Sequence, residues 1–480
     1  MNRWRYFGLW LVAGVLMGLA LLLPFGWLLM MGGLGLLLHL LSITNSTKRA
    51  GLGLLLAGTT HMFITLTWVF GVVPLTQLGL TPLTQLAFVG FIWLTSSVLI
   101  GFGFMVGVAL IHYVAGQNKF WLFGLFPFGV ITGELFGRSL FSLYMLGPDG
   151  GLSVAFSFGQ VGYALANHGG LVLLARLGGV YVLTPVVATL SVSGYLFWRR
   201  RCYWSLALGV TVLFLTSFYH PPTVLPPELD DIGVLQINLP FSLRQEERDN
   251  QAKLLVAAVD EAAARQLHTV ILPEDSRYGQ SNPIKSQSSS PLSILDTARV
   301  ETESGPIQRA TFLTSTTLLV IQDKRQLVPF GEYVPLLHTA LFSSLGFAPL
   351  VDQMKAAYGY RRGASAILPP TLSMNVPAVL FCYESVTPYA VHQLMKAETP
   401  PPYIAHVVSH AWFTDTRGFL KYQLRSMLIT QAVWNDVFIL QSANQAPAAV
   451  YSPTGSVYTT PRTTTLWTLY RVYNIVHQSE

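Results

Sequence analysis

Apolar residues run in long blocks through the first 219 positions and in short blocks after them. A block of about 20 apolar residues crosses the hydrocarbon core of a bilayer as one helix. The run 6–42 is too long for one crossing, and Pro24 and Gly26 interrupt it near its middle, so it predicts a helical hairpin. Further spans are expected at roughly 51–73, 87–115, 120–142, 171–198 and 203–219, which makes seven. The first is not a cleavable signal peptide, because more apolar runs follow and no small-residue cleavage site is evident. A Pro-rich linker, 220–228, then separates the membrane part, 1–219, from a soluble part, 229–480. The soluble part reads as strands at 232–239, 269–273, 378–381, 404–408 and 437–441. A helix is expected at 245–266, with Leu254, Leu255, Val256 and Val259 toward the core, and a Ser-rich loop at 286–293. Strand–helix alternation of this kind predicts an α/β layered domain.

Composition and charge sharpen this picture. Hydrophobic residues make up 51% of the 480-residue chain and charged residues only 11%, about half the usual share for a soluble domain. The net charge of +6 raises the question of nucleic acid, but the basic residues of the first half sit in short clusters between apolar runs. That is the pattern of membrane topology, and nucleic-acid binding is not expected. Arg3 and Arg5, Lys48 and Arg49, Lys119, and Arg199 to Arg201 all fall on one side if the N-terminus is cytoplasmic. The intervening loops 73–86 and 143–170 hold no Lys or Arg. Seven crossings then place the soluble part outside the cytoplasm, in the periplasm of a Gram-negative cell. Cys202 follows an arginine cluster while Cys382 lies deep in the soluble part, so no disulfide is expected. Inside the expected spans stand Glu134, Arg138 and Arg176. Glu134 and Arg138 are four apart on one helix face, placed either to neutralise each other between helices or to meet a lipid headgroup.

Reactive groups in layered α/β domains gather just beyond strand ends. Glu274 follows one expected strand, Cys382 follows another, and Lys324 precedes a Leu-Val-Pro-Phe-Gly-Glu run. A carboxylate can take the proton of a thiol, and a nearby cation can hold an oxyanion. Each residue type alone has a commoner structural use.

The stretch 323–335, Asp-Lys-Arg-Gln-Leu-Val-Pro-Phe-Gly-Glu-Tyr-Val-Pro, resembles the lysine motif of the apolipoprotein N-acyltransferase family, within the membrane-bound nitrilase (carbon-nitrogen hydrolase) superfamily. Phe381-Cys382-Tyr383-Glu384 is similar to that family's nucleophile motif, and Leu272-Pro273-Glu274 to its base motif. Ala411-Trp412-Phe413, Ser442-Ala443-Asn444, Leu177 to Tyr181 and the Glu134/Arg138 stretch extend the similarity over nearly the whole chain. The resemblance implies a polytopic helical domain followed by an αββα sandwich. It implies a catalytic triad of Glu274, Lys324 and Cys382, with Glu332, Glu384 and Tyr383 in support. Trp412 and Phe413, with Glu134 and Arg138, become the lipid-contact candidates. It further implies a monomer in the bacterial inner membrane, acyl transfer from a phospholipid through a Cys thioester to a diacylglyceryl-cysteine apolipoprotein, and no metal or other cofactor.

The chain departs from the family pattern at several places. About 50 residues separate Glu274 from Lys324, fewer than the family has, and Asp275-Ser276 follows the base. Ser409-His410 replaces an Asn-Asp pair, Gln431 replaces a glutamate, and residues 460–480 hold no apolar run long enough to span. The alternative is a paralogue with another acceptor or amidase activity, such as the membrane-anchored nitrilase-like proteins of conjugal-transfer clusters, of the TraB type. A third reading is an inactive membrane scaffold, which the intact Glu/Lys/Cys set disfavours.

Overall fold

A computed structural model describes residues 3–75, 79–116, 118–147, 156–204, 209, 211–212, 216, 221–240, 245–281, 292–314, 318–363, 376–396, 400–413 and 418–477. By internal contacts the chain divides into two compact units. One joins Met1–Leu146 and Gly151–Pro221 with Asp415–Trp434; the other holds Gly147–Gly150, Pro222–Thr414 and Asn435–Glu480.

The helical unit is built from α1 (Arg3–Ala20), α2 (Gly26–Ile43), α3 (Thr47–Thr65), α4 (Pro82–Ala115), α5 (Lys119–Tyr144) and α6 (Val180–Arg200). Among the described residues five helices are long and apolar enough to cross a membrane, and a shorter apolar helix runs over Arg5–Ala20. The chain is a multi-pass membrane protein. The α1–α2 hairpin breaks at 21–25, where Pro24 stands. Side chains close several orphan N-termini: Ser46 accepts from Arg49 N, Thr81 from Thr84 N, and Asn118 from Phe120 N. Two expected spans differ in extent. The span at 51–73 leaves the α-helix at Thr65 and continues as a 3-10 turn over Thr67–Val72. The span at 171–198 begins at Val180, because Gly178-Gly179 interrupts it, and Leu171–Leu177 forms a 3-10 turn. Gly179 takes a φ of +63°, and a Cβ there would lie 2.4 Å from the ring of Trp434. The expected span at 203–219 falls largely outside the described residues.

Glu134 and Arg138 are both fully buried on α5, with Arg138 Nη2 3.9 Å from Glu134 Oε1. The carboxylate does more than face its arginine. Its Oε1 accepts from Val161 N at 2.7 Å and its Oε2 from the Thr184 hydroxyl at 2.8 Å. Thr184 Oγ1 in turn accepts from Gly162 N at 3.1 Å, and Arg138 donates to the carbonyls of Glu134 and Phe158. One carboxylate thus joins α5, the 3-10 turn Val161–Leu165 and α6. Spacing along α5 reveals the arginine but not Thr184.

The second unit contains β1 (Ile232–Ile237), β2 (Thr269–Ile271), β3 (Ser293–Thr302), β4 (Gly305–Leu313), β5 (Leu318–Asp323), β6 (Ala378–Phe381), β7 (Ile404–Ser409), β8 (Ile439–Asn444), β9 (Ala449–Tyr451), β10 (Val457–Thr459) and β11 (Trp467–Arg471). The sheet branches at β8. One branch runs β8-β1-β2-β3-β4-β5, with β11 also paired to β1, a second leaves through β7 to β6, and a third through β9 to β10. Residues of period two sort between layers. Val234, Ile271, Leu295 and Ile321 of the first branch meet Val379, Phe381, Ala405 and Val407 of the second in one core. The alternate positions Leu235, Ile237, Val270, Leu272 and Ile294 turn to Leu255, Ala258, Val259 and Ala262 of α7 (Gln245–Ala264). This is the layered α/β architecture expected from the alternation. The strands β3, β4 and β5, which fill the interval between Glu274 and Lys324, and β9, β10 and β11 were not expected from the pattern. Of the Ser-rich loop at 286–293, residues 286–291 lie outside the described residues, and Ser293 opens β3.

Arg138→Ala leaves a buried carboxylate with no counter-charge, which costs about 3–5 kcal/mol for a buried pair. The expected result is a lower midpoint in detergent melting and lower membrane yield, with Thr184→Ala milder. An Arg138→Ala protein that melts like the parent contradicts this reading of the network.

Candidate active site

The three residues expected to carry chemistry leave the C-terminal ends of β2, β5 and β6. β2 ends at Ile271, and Leu272-Pro273 carries the chain to Glu274. The next turn is held by Asp275 N donating to Thr297 Oγ1 at 2.9 Å and by Arg277 paired with Asp275. Asp275 takes a φ of +59° there. β5 ends at Asp323, gripped in a two-pronged pair by Arg309 of β4 at 2.7 and 3.1 Å. Lys324 follows, its amide donating to Gln308 O and its carbonyl accepting from Gly363 N.

The Lys324 side chain is 1% exposed, and its ammonium lies 3.0 Å from Glu274 Oε1 and 2.6 Å from Glu332 Oε1. Glu332 reaches it because the loop after the lysine folds back on itself. Its Oε2 accepts from Val328 N at 2.8 Å, Glu332 N donates to Val328 O, and Phe330 takes a φ of +61° at the bend.

Cys382 begins a 3-10 turn, Cys382–Val386, directly after β6. It is partly exposed and packs on Val408, Ala443 and Ala446. Glu384 in the same turn accepts from Arg325 N and Gln326 N with one oxygen and from Phe381 N with the other. It therefore ties the lysine loop to the cysteine turn. A second tie is Gln322, whose side-chain amide exchanges bonds of 2.6 and 3.1 Å with the backbone of Val379 in β6.

Glu274 is raised to about 7, by burial above all, with Lys324 working to lower it and Glu332 to raise it. Burial also works to lower Lys324, but Glu274 and Glu332 outweigh it and the ammonium is held well above its usual range. The Cys382 thiol is pushed up by burial and then by Glu274, with Lys324 opposing. The site at rest is a neutral thiol beside an ammonium and a carboxyl group that titrates near neutrality. Tyr383 is pushed up by burial, then by Tyr333 and Glu332.

Glu274, Lys324, Cys382, Glu332, Glu384 and Tyr383 thus come together. Trp412 is 38% exposed past the end of β7 and Phe413 is partly buried. Glu134 and Arg138 belong to the helical unit. Among the described residues no group of three or more His, Cys, Asp or Glu side chains is placed to hold a metal ion. The Arg309–Asp323 pair and the Gln322 bridge were missed from the sequence, since neither falls in a motif.

No protein-family model matches the chain. It is similar to curated apolipoprotein N-acyltransferases. With that of Ralstonia nicotianae it shares 28% identity over 331 residues, 64% of this chain and 60% of that one. With that of Allorhizobium ampelinum it shares 32% over 146 residues, 29% of this chain and 25% of that one. The chain therefore spans between a quarter and three fifths of these two relatives. With that of Wolinella succinogenes the identity is 24% over 444 residues, 86% of this chain and 99% of that one. Among solved structures, a CN-hydrolase superfamily protein of Xanthomonas campestris with an arsenic adduct in its active site overlaps 52% of this chain and 92% of its own, at 16% identity and a TM-score of 0.33. An amidase from Nesterenkonia sp. overlaps 52% and 97%, at 13% identity and a TM-score of 0.34.

Glu384→Gln removes an anion that three backbone amides address and turns one amide donor against another. Losing the bonds of one buried group costs about 1–3 kcal/mol. The variant is expected to melt lower and to leave Cys382 less reactive toward iodoacetamide. A parent-like melt and parent-like alkylation rate contradict a tie between the two loops.

Proposed function

We propose that this relative of the apolipoprotein N-acyltransferases moves a fatty acyl chain from a phospholipid, through a thioester on Cys382, to the α-amine of a diacylglyceryl-cysteine lipoprotein. The observation that carries the proposal is the buried contact of Lys324 with Glu274 and Glu332, beside the single thiol of the second unit.

Glu274 takes the proton of Cys382, and the sulfur attacks the ester carbonyl. The charge on the carbonyl oxygen is met by the Lys324 ammonium and by backbone amides. The lysophospholipid leaves with the proton from Glu274. The acceptor amine then attacks the thioester, Glu274 takes the amine proton, and the sulfur leaves to regain it. Glu332 holds Lys324 as the charge on Glu274 comes and goes, and Tyr383 lies within electrostatic reach of Glu332. Trp412 and Phe413 are placed to meet acyl chains. Both substrates are lipids, which accords with a multi-pass chain, and we place the protein as a monomer in the bacterial inner membrane with its second unit in the periplasm. The chemistry needs no metal and no organic cofactor.

The test is intact-mass measurement with phospholipid supplied and acceptor withheld. Cys382 should gain one acyl chain that hydroxylamine removes, and an unmodified protein contradicts the proposal. Lys324→Ala should slow acylation roughly 10²–10³-fold, as the loss of one oxyanion donor does. Cys382→Ser should lose most turnover, and Cys202→Ala should keep it.

The pH dependence follows from Glu274. Only its ionised form accepts the thiol proton, and its folded value is about 7. Acylation should therefore rise with pH through about 7 and level off above it. A rate that is flat from pH 5 to 8 contradicts Glu274 as the base.

A further inference from the structure

β6 and β7 pair in parallel, with Leu380 opposite His406 and Phe381 opposite Val407. Amides along a strand point alternately to its two neighbours. In β7 the even-numbered ones face β8: Ile404 N donates to Phe438 O, and His410 N beyond the strand end donates to Asn444 O. The odd-numbered ones face β6. Ser409 N is the last of these, and β6 has already ended beside it. There the chain turns at Cys382 into its 3-10 turn, and the Cys382 carbonyl takes the Ser385 hydroxyl at 2.7 Å. A buried strand amide without a strand acceptor is costly unless something else accepts from it. The Ser409 amide instead acts on the Cys382 side chain, which packs on Val408 of β7 and Ala443 of β8.

We propose that the backbone N–H of Ser409 is a catalytic group that holds the Cys382 sulfur as an anion, both before attack and again when the thioester breaks. A hydrogen bond to an ionised acceptor is roughly twice as strong as one between neutral groups, so this donor favours the thiolate over the thiol. Its electrostatic direction agrees, since the Ser409 amide opposes the upward push that burial and Glu274 exert on the thiol. The serine side chain has a separate task. Asn444 Nδ2 donates to its hydroxyl at 3.2 Å while Asn444 Oδ1 accepts from Leu239 N at 3.0 Å, which fixes the strand end and aims the amide. Ser409 stands in the Ser409-His410 pair that sets this chain apart in sequence, and the working part of the residue is its main chain.

This rests on the reading of Cys382 as nucleophile, yet it is tested apart from acyl transfer. In full-length protein in detergent, carrying Cys202→Ala, the alkylation of Cys382 by iodoacetamide is followed against pH. Ser409→Ala keeps the N–H and loses only the hydroxyl that aims it, so its profile should move less than that of any variant that lacks the N–H. Ser409→Pro, and a chain with the α-hydroxy acid of serine at 409 so that an ester replaces the amide, both lack it. They should react about tenfold more slowly at pH 7 and regain the parent rate at high pH, a shift of about one unit in the thiol. The ester variant decides the matter if the proline variant fails to fold. An ester variant that melts like the parent and gives a superimposable profile overturns the proposal. A shifted profile in a protein that forms no thioester leaves this inference standing and removes acyl transfer instead.

Discussion

A buried ammonium between two carboxylates is the constraint on which the second unit depends. Taking Lys324 to 1% exposure is tolerable only with counter-charges in contact, and Glu274 and Glu332 supply them at 3.0 and 2.6 Å. Each comes from a different place in the chain, so the requirement reaches back into the fold. Glu274 arrives on the end of β2, and Glu332 on a loop bent back through Phe330 at positive φ. Arg309 clamps Asp323, so that the lysine starts from a fixed backbone.

The same constraint sets the reactivity. Burial raises Glu274, one ammonium shared by two carboxylates cannot fully offset it, and Glu274 is left near neutrality rather than firmly ionised. The thiol beside it rests protonated, pushed up by burial and then by Glu274. A carboxyl group titrating near 7 is matched to taking up and returning a proton near neutral pH. Glu384 and Gln322 then keep the lysine end and the cysteine end of the site in one register, since they bridge the lysine loop to the cysteine turn and β5 to β6.

Much of this was legible in the sequence because it is written in residue type and local order. The hairpin at Pro24, the long apolar helices, and strands ending at Glu274 and Cys382 follow from apolar runs and their breaks. What was not legible is written across distance. Strands β3 and β4 carry buried polar residues such as Asp296, Thr297 and Gln308, so they lack a clean alternation of apolar and polar positions. Thr184 is an ordinary helix residue until Glu134 is brought to it. The segment Asp415–Trp434 lies between two strands of the second unit yet groups with the membrane helices: Gln423 donates to Thr65 O at the end of α3, and Tyr422 to Leu23 O. Nothing in its periodicity distinguishes it from a helix that covers a sheet.

The most direct measurement of the central claim is transfer itself. Purified protein in phospholipid vesicles is given a synthetic diacylglyceryl-cysteine peptide, and the peptide is weighed by mass spectrometry. A gain of one acyl chain on the α-amine, stable to hydroxylamine and absent with Cys382→Ala or Lys324→Ala, is the predicted result. A peptide of unchanged mass, or one acylated equally well by Cys382→Ala, contradicts the account.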